Sequence, residues 1–254
     1  FRSPETGAYF NGKMKKLENY RRGLIDGIPI ALGYFAVSFT LGIRGGDVGL
    51  KWYQSALMSA LNYTSAGQAA SLSILEEGGS YVEQIISTLV INLRYLLMSA
   101  ALTIKLSPKE KTGKRMLMGI GVTDEIFGIA IAQNTPLDPM YNVGAMSVAC
   151  PGWVLGTALG GIMGEILPSV VTSSLSIALY AMFLAIIIPP ARENMVVAAL
   201  VVISMVLSFL FTRIPLLSGI STGMKVIILT VALSALAAYF FPIEEDESIK
   251  EAEA

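Results

Sequence analysis

The residues best suited to chemistry are charged side chains that lie inside long apolar stretches. Arg94 is in the middle of the otherwise uncharged stretch 84–104, and Asp124 and Glu125 lie inside the apolar stretch 116–133. A charge at membrane depth is costly, so it requires an opposite charge, a hydrated cavity or a functional role. The acidic pair is the best candidate partner for Arg94. These groups could bind an ionic solute or carry a proton, or they could form a static ion pair that fixes helix register.

A run of polar residues interrupts another apolar stretch. It reads Asn-Tyr-Thr-Ser-Ala-Gly-Gln from Asn62 to Gln68. Such a run suits an unwound or re-entrant element, because discontinuous helices in transporters place freed backbone groups at the substrate. The structural alternative is that small polar residues only allow close helix packing.

A second interruption is predicted at Cys150-Pro151-Gly152. Proline removes a backbone donor and glycine weakens a helix, so this position could be unwound as well. Glycines recur here at every fourth residue, at positions 152, 156, 160 and 164. That repeat favours the alternative interpretation, which is tight contact with another helix.

The surrounding composition places these groups in a membrane. Of the 254 residues, 54% are hydrophobic and 15% are charged, whereas soluble domains carry about 25% charged residues. The mean hydropathy is +0.63, and a bilayer crossing needs about 20 apolar residues. The chain is therefore predicted to be all-α, a polytopic membrane helix bundle of seven or eight segments. The predicted spans are 24–43, 52–75, 82–104, 116–134, 141–165, 170–188, 195–212 and 224–242.

These spans are predicted to form one transmembrane transport domain. The domain covers residues 24–242, between a cytoplasmic N-terminal segment, 1–23, and an acidic tail, 243–254. A short, long, short pattern in segments one to three recurs in segments four to six, which predicts an internal repeat. The second and the fifth segments are the two that we expect to be interrupted.

Orientation is predicted from the excess of Lys and Arg in cytoplasmic loops. The basic cluster Lys13–Arg22 places the N-terminus in the cytoplasm, and the loop Lys105–Arg115 is equally basic. Both clusters can be cytoplasmic only if an even number of full crossings lies between them, yet three candidate segments do. Either one of the three is incomplete or the charge rule fails here, and the segment that contains Asn62–Gln68 is the candidate for the incomplete one.

Composition also argues against several classes of function. The chain has no His and a single cysteine, Cys150, so it lacks the side chains for a His-dependent hydrolase, a disulfide or a soft-metal cluster. The sequence contains no Walker-type phosphate loop, and its basic residues lie in short loops rather than on one face. We expect no enzyme activity, no cofactor, no metal and no nucleic-acid partner.

Three stretches together resemble the AzlC family. Ser59–Ala70 resembles a stretch typical of that family, Ile91–Tyr95 is similar to its Asn-x-Arg signature, and Val122–Phe127 is similar to its Thr-Asp-Glu signature. The resemblance covers roughly residues 20–240 and departs at Asn62 and Tyr63, where more apolar residues are expected. It implies the large subunit of a bacterial or archaeal cell-membrane exporter for branched-chain amino acids. It also implies a small hydrophobic AzlD-like membrane subunit as partner.

The apolar stretches and the resemblance single out one predicted transport site. Its residues are Asn62, Ser65, Gly67, Gln68, Asn92, Arg94, Thr123, Asp124 and Glu125. We expect a zwitterionic apolar amino acid to place its carboxylate near Arg94 or a half-helix end, and its ammonium near Asp124 or Glu125. One of the two carboxylates could instead carry a coupling proton. A transporter or channel for another small solute and a non-transporting membrane scaffold are the open alternatives.

Overall fold

Helices form the regular structure of the chain wherever it is described. The computed structural model describes residues 4–108, 110–133, 136–164, 166–168, 187–214 and 220–242, with isolated positions between 170 and 184. The helices are α1 (Pro4–Asp47), α2 (Trp52–Leu61), α3 (Ser65–Glu76), α4 (Tyr81–Lys105), α5 (Thr112–Ile120), α6 (Asp124–Ile131), α7 (Pro139–Met163), α8 (Met195–Arg213) and α9 (Thr222–Phe240). Counted over these ranges, four helices, α1, α4, α7 and α9, are long and apolar enough to cross a membrane. The prediction of an all-α membrane bundle is confirmed.

The first helix is longer than the sequence predicts. The predicted span is 24–43, whereas α1 continues from Pro4 to Asp47. The basic segment ahead of the span extends the helix because Lys, Leu, Glu and Arg are good helix formers. Tyr20 and Gly23 also contact the start of α7, which holds this part of the helix in place. The cytoplasmic location of the segment stays a prediction.

The second predicted segment is broken where its polar residues lie. α2 ends at Leu61 and α3 begins at Ser65, so the chain between them is not helical. The break is shorter than predicted, because the part from Ser65 onward forms the first turn of α3. Thr64 caps that turn by accepting a hydrogen bond from the Gly67 N–H at 3.2 Å. The prediction of an interrupted second segment is confirmed.

The other break lies in the fourth segment, where it was not predicted. Gly121–Thr123 separates α5 from α6. Gly121 lies so close to Met146 of α7 that a Cβ would overlap its side chain. Thr123 then starts the next helix by accepting from the Ile126 N–H at 3.3 Å. A close approach followed by a capping residue makes this break.

The break predicted at Cys150-Pro151-Gly152 is wrong. α7 is one helix from Pro139 to Met163 with Pro151 inside it. Close contact with α1 on both sides of the proline keeps the two halves together, which agrees with the alternative interpretation of the glycine repeat. In the described part of the chain two segments are interrupted, the number predicted, but the second of them is the fourth segment and not the fifth. The internal repeat, which relied on a break in the fifth segment, stays a prediction.

Glycines bring α1 and α7 into backbone contact along their length. The closest pairs are Tyr20 with Gly144, Gly23 with Tyr141, Gly27 with Ala145, Phe35 with Gly156, Phe39 with Gly160, and Gly42 with Thr157. In each pair, a Cβ on the glycine would overlap the backbone of the facing residue. Residue numbers rise together in both helices, so the two helices run parallel. Small residues at the contact are what allows this close packing.

The chain divides into two compact units, and the two basic clusters lie at one end of the first. The first unit is Phe1–Leu72 with Asn92–Tyr180, and the second is Ser73–Ile91 with Ala181–Ala254. In the first unit, Asn19 Nδ2 donates to Asp138 at 2.9 Å, and Lys105 Nζ donates to the Gln133 carbonyl at 2.9 Å. The end of α4 and the start of α7 therefore lie at the same end of the unit as the basic part of α1.

This arrangement agrees with an even number of crossings between the basic clusters. α1 and α4 are long enough to be two full crossings, and the broken segment of α2 and α3 stays the predicted incomplete one. The segment formed by α5 and α6 also begins and ends at this end of the unit. It begins just after the loop that follows Lys105, and it ends next to Gln133, whose carbonyl Lys105 binds. Both ends of this second broken segment therefore lie near the basic clusters.

The rest of the chain belongs to the second unit or lies outside the described residues. The predicted spans 195–212 and 224–242 correspond to α8 and α9. The predicted span 170–188 falls almost wholly outside the described residues, and so does the acidic tail 243–254.

Two carboxylates hold the start of α9 in the second unit. Glu83 accepts from the Met224 N–H at 3.1 Å and from the Ser221 hydroxyl. Glu77 accepts from the Thr222 N–H at 2.8 Å and from the hydroxyl of the same residue. These bonds satisfy N–H groups that a helix leaves unpaired in its first turn.

Candidate functional site

An ion pair joins α4 to α6 inside the first unit. Arg94 Nη1 lies 2.8 Å from Asp124 Oδ2, as the isolated charges in the sequence predicted. The accessible fractions of the two side chains are 35% and 22%, so neither side chain is fully enclosed by the protein. The guanidinium also lies over the ring of Tyr95, 5.1 Å from the ring centroid. A cation in this position is attracted to the face of the ring.

The unwound start of α6 positions the two carboxylates toward different partners. Thr123 is the N-cap, and Asp124 and Glu125 form the first turn, where the helix dipole favours acidic residues. The hydroxyl of Tyr34, on α1, lies 2.5 Å from Thr123 Oγ1 and 2.5 Å from Glu125 Oε2. Asp124 is therefore directed to α4 and Glu125 to α1.

A buried amide cluster fixes the other break. The side chain of Gln68 is fully buried, its oxygen accepts from Trp153 Nε1 at 3.2 Å, and its nitrogen donates to Ser59 at 2.7 Å. The Ser59 hydroxyl lies 2.7 Å from the Thr157 hydroxyl. The ring of Trp153 contacts that of Tyr34 edge to face, with 5.4 Å between centroids. Both ends of the amide are bonded, so the cluster serves to hold α3 against α2 and α7.

The two breaks approach the same part of α4. A Cβ on Gly67 would lie 3.2 Å from Asn92 Nδ2, and the Thr64 hydroxyl is hydrogen-bonded to Tyr95. Arg94, which binds the start of α6, lies between these two residues of α4. The unwound chain at 62–64 and the unwound chain at 121–123 therefore both flank the ion pair.

Two buried polar atoms beside the ion pair have no hydrogen-bond partner among the described residues. They are Arg94 Nε, a donor, and Asn92 Oδ1, an acceptor. Leaving such a group unpaired costs about 1–3 kcal/mol, so a ligand or water that bonds to it is favoured. A donor and an acceptor of this kind, within one turn of α4, suit a molecule that carries both kinds of group.

Most of the predicted site residues come together in the first unit. The ion pair joins Arg94 to Asp124, Tyr34 joins Thr123 to Glu125, Gly67 lies against Asn92, and Gln68 bonds to the tryptophan that contacts Tyr34. Asn62 and Ser65 flank the break and are half-buried. Across the described part of the chain, neither makes a hydrogen bond to the other site residues. The roles of all nine residues stay predictions.

Tyr34 and Trp153 are site residues that the sequence analysis missed. Tyr34 lies in an uncharged run of α1, where nothing distinguishes it from an apolar residue facing lipid. Trp153 follows the Pro-Gly pair that was taken for a break. A signal did exist, because the N–H of a buried tryptophan and the hydroxyl of a buried tyrosine need hydrogen-bond partners.

These features define a polytopic α-helical membrane protein with an interior ion pair flanked by two helix breaks. A family model described as AzlC protein matches residues 29–167, a range that contains every predicted site residue. The chain belongs to the AzlC family, so the resemblance noted in its sequence is confirmed. The AzlC family is a transporter-type family rather than an enzymatic one. Membership in it is consistent with a transporter subunit.

Two relatives agree with this assignment. An uncharacterized membrane protein of Archaeoglobus fulgidus is 29% identical over 188 residues, which cover 73% of this chain and 82% of the relative. The inner membrane protein YgaZ of Escherichia coli K12 is 24% identical over 238 residues, 90% of this chain and 94% of the relative. No solved structure matches the chain.

Proposed function

We propose that the chain is the transport subunit of an exporter for branched-chain and similar apolar amino acids. The observation that supports this most is the ion pair of Arg94 and Asp124, which is partly accessible and flanked by two helix breaks. A pair that only fixed helix register would not need a spare hydrogen-bonding atom, and Arg94 Nε has no partner among the described residues. Charged residues inside membrane segments commonly mark substrate, ion or proton pathways.

The substrate in this proposal is a zwitterion with an apolar side chain. Its carboxylate bonds to Arg94, whose Nε is free of partners among the described residues. Its ammonium bonds to Asn92 Oδ1 and to whichever of Asp124 and Glu125 it reaches. Apolar residues of α4 and α6 supply the surroundings for the side chain. Opposite charges at fixed positions select molecules that carry both, because an unmatched charge here stays unpaired.

Proton coupling follows from competition for one guanidinium. Asp124 is the partner of Arg94 in the structure. A substrate carboxylate that binds Arg94 displaces Asp124, and a displaced carboxylate at this depth must take a proton or an ammonium group. Glu125 keeps its bond to Tyr34 meanwhile. Substrate binding and proton binding are thereby linked through Asp124.

The remaining parts of the proposal concern location and partner. The basic residues at the start of α1 and after α4 lie at one end of the first unit, and the excess of basic residues on the cytoplasmic side favours that end as cytoplasmic. We place the protein in the cell membrane of a bacterium or archaeon with its N-terminus inside. A small hydrophobic AzlD-like membrane subunit is the proposed partner.

Transport by the complex tests the proposal directly. Proteoliposomes that contain the chain and its small partner should exchange labelled leucine, isoleucine, valine and methionine in counterflow. Isoamylamine and isocaproate each carry only one of the two charges, so neither should compete. Collapse of an imposed proton gradient should stop net accumulation and leave exchange intact. Exchange of none of the four amino acids would show that the chain serves another solute or is a scaffold.

Two substitutions test the site itself. Arg94→Gln and Asp124→Asn should each lower exchange at least about 100-fold, because each removes one of the two opposite charges that the proposal places at the substrate. The matched control is Lys114→Gln, because Lys114 and Glu110 form an ion pair at the same distance, 2.8 Å, with similar exposure, 32% and 19%. That variant should exchange normally. A double variant of Arg94 and Asp124 that still transports would identify the pair as static.

A further inference from the structure

A polar cavity lies at the end of the first unit where the basic clusters meet. Its volume is about 240 Å³, and it is lined by Lys15, Asn19, Arg22, Gln133, Pro136, Leu137, Asp138 and Tyr141. It is separate from the ion pair, because Asp124 begins α6 and Gln133 follows its end. The eight residues of α6 extend over about 12 Å. The transport site therefore does not account for this cavity.

The charges that face the cavity leave two cations uncommitted. Within the described residues neither Lys15 nor Arg22 forms an ion pair, and Arg22 makes only a long hydrogen bond, 3.4 Å, to Gln133. The carboxylate of Asp138 is occupied, since one oxygen accepts from Asn19 at 2.9 Å and the other from the Met140 N–H at 3.0 Å.

Two charged residues near the cavity, Asp26 and Lys105, leave the excess of positive charge unchanged. Asp26, one turn along α1, accepts from the Tyr141 hydroxyl at 2.7 Å. Lys105 donates to the carbonyls that end α6, which adds a positive charge beside the cavity wall. The Gln133 amide is also bonded inside the protein, to Ile129 and Tyr141. With it and both carboxylates committed, the groups left to a ligand are mainly the two cations.

The Arg22 side of the cavity lies at the level of the headgroup layer of a membrane, whereas Lys15, about 18 Å ahead of Gly27 along the helix axis, lies beyond that layer. The uncharged run of α1 begins at Gly27, and Arg22 lies about 7 Å ahead of it along the helix axis. The polar layer on each side of the hydrocarbon core is about 5–8 Å thick. Basic pockets between helices at this level bind the headgroups of anionic lipids. One water occupies about 30 Å³ in the liquid, so the cavity is several times larger and can hold a phosphate.

We propose that this cavity binds a phosphate group at the membrane surface, with Lys15 and Arg22 as its cationic contacts and Asn19 at its side. The chemistry is that of a phosphodiester in an anionic phospholipid, which the depth of Arg22 favours, or of free phosphate. Arginine suits this role because its planar group can give two parallel hydrogen bonds to phosphate oxygens. The site does not depend on the proposed substrate of the ion pair.

The experiment measures lipid binding to the full chain. The protein is placed in nanodiscs of phosphatidylcholine with added phosphatidylglycerol, and the retained phosphatidylglycerol is counted by native mass spectrometry. Arg22→Gln and Lys15→Gln should each weaken retention about fivefold, the effect of about 1 kcal/mol for one basic residue near a membrane surface. Arg21→Gln is the matched control, because it removes the same charge from the same turn of α1 but not from the cavity lining.

A second substitution should change the retention of phosphatidylglycerol in the opposite direction. Asp138→Asn keeps a capping side chain at the start of α7, since Asn caps as well as Asp, and it removes the negative charge that faces the ligand. Retention should rise. If it falls, the cavity takes a positively charged group and the proposal is wrong.

Excess inorganic phosphate distinguishes the two possible ligands, a phospholipid headgroup and free phosphate. If it displaces phosphatidylglycerol from the parent protein and not from the Arg22→Gln variant, free phosphate is a ligand of the same site. If it has no effect, the ligand is the lipid. Equal loss in the Arg21 and Arg22 variants would mean a diffuse basic surface and would overturn the proposal.

Discussion

The starts of α6 and α9 both gather two carboxylates, but they use them in opposite ways. At α9 the carboxylates of Glu77 and Glu83 come from another part of the chain and bond to the N–H groups of the helix. At α6 the carboxylates of Asp124 and Glu125 belong to the helix and bond outward, to Arg94 and to Tyr34. The cap of α6 is left to Thr123.

The difference separates a structural carboxylate from an exchangeable one. An acid that pairs with helix N–H groups cannot leave without exposing them, so its bond is fixed. An acid that pairs with another side chain can exchange that partner for a ligand, while the helix start remains capped by the neutral hydroxyl. Three substitutions test this distinction.

The largest effect is expected at Thr123. Thr123→Val removes the cap of α6 and the acceptor for Tyr34 while keeping the shape of the side chain. The free energy of unfolding should fall by about 2 kcal/mol, and amino-acid exchange should be lost because both carboxylates are displaced. Thermal unfolding in detergent and counterflow measure the two. Thr123→Ser should retain most of both, and a fully active valine variant would show that the cap does not position the acids.

A smaller effect is expected from matched changes of Glu83 and Glu125. Glu83→Gln weakens a charge-assisted bond, so it should lower the free energy of unfolding by about 1 kcal/mol and leave exchange per folded molecule unchanged. Glu125→Gln should do the reverse, with slight destabilisation and strongly reduced exchange. The same two assays apply. Equal effects of the two variants on exchange would remove the distinction between the helix starts.

The smallest effect is expected at Glu77. The hydrogen bond from the Thr222 hydroxyl, together with that from its N–H, lowers the pKa of the Glu77 carboxyl from its ordinary value. Its contribution to stability is therefore present above the unfolded value, about 4.3, and is lost as the pH falls through the lower folded pKa. Unfolding midpoints should decrease more steeply in acid for the parent protein than for Glu77→Gln. Identical acid profiles would mean that the bond contributes nothing.

Much of the fold could be predicted because membrane helices follow from apolar length. The span predicted at 82–104 lies within α4, Tyr81–Lys105, to one residue at each end. The break near Asn62 was predicted because polar residues gathered there in an apolar run. The pairing of Arg94 with an acidic residue could be predicted because isolated opposite charges at membrane depth are costly unless they pair.

What could not be predicted depended on contacts between distant segments. Pro151 favours a break by its own chemistry, yet α7 continues because glycines hold it to α1. Thr123 was noticed for its place beside the acidic pair and not as the start of a helix, and the break also depends on the close approach of Gly121 to Met146. Tyr34 becomes a site residue only when α6 lies beside α1. No pattern within one segment carries that information.

The glycine contacts between α1 and α7 also limit how such a protein can move. A slide of one residue, about 1.5 Å, would drive side chains of one helix into carbonyl groups of the other, so the two helices must travel as a single rigid piece. Any change of access from one side of the membrane to the other then falls to the short half-helices, which have free ends. Spin labels on α1 and α7 should report one unchanged distance in both access states.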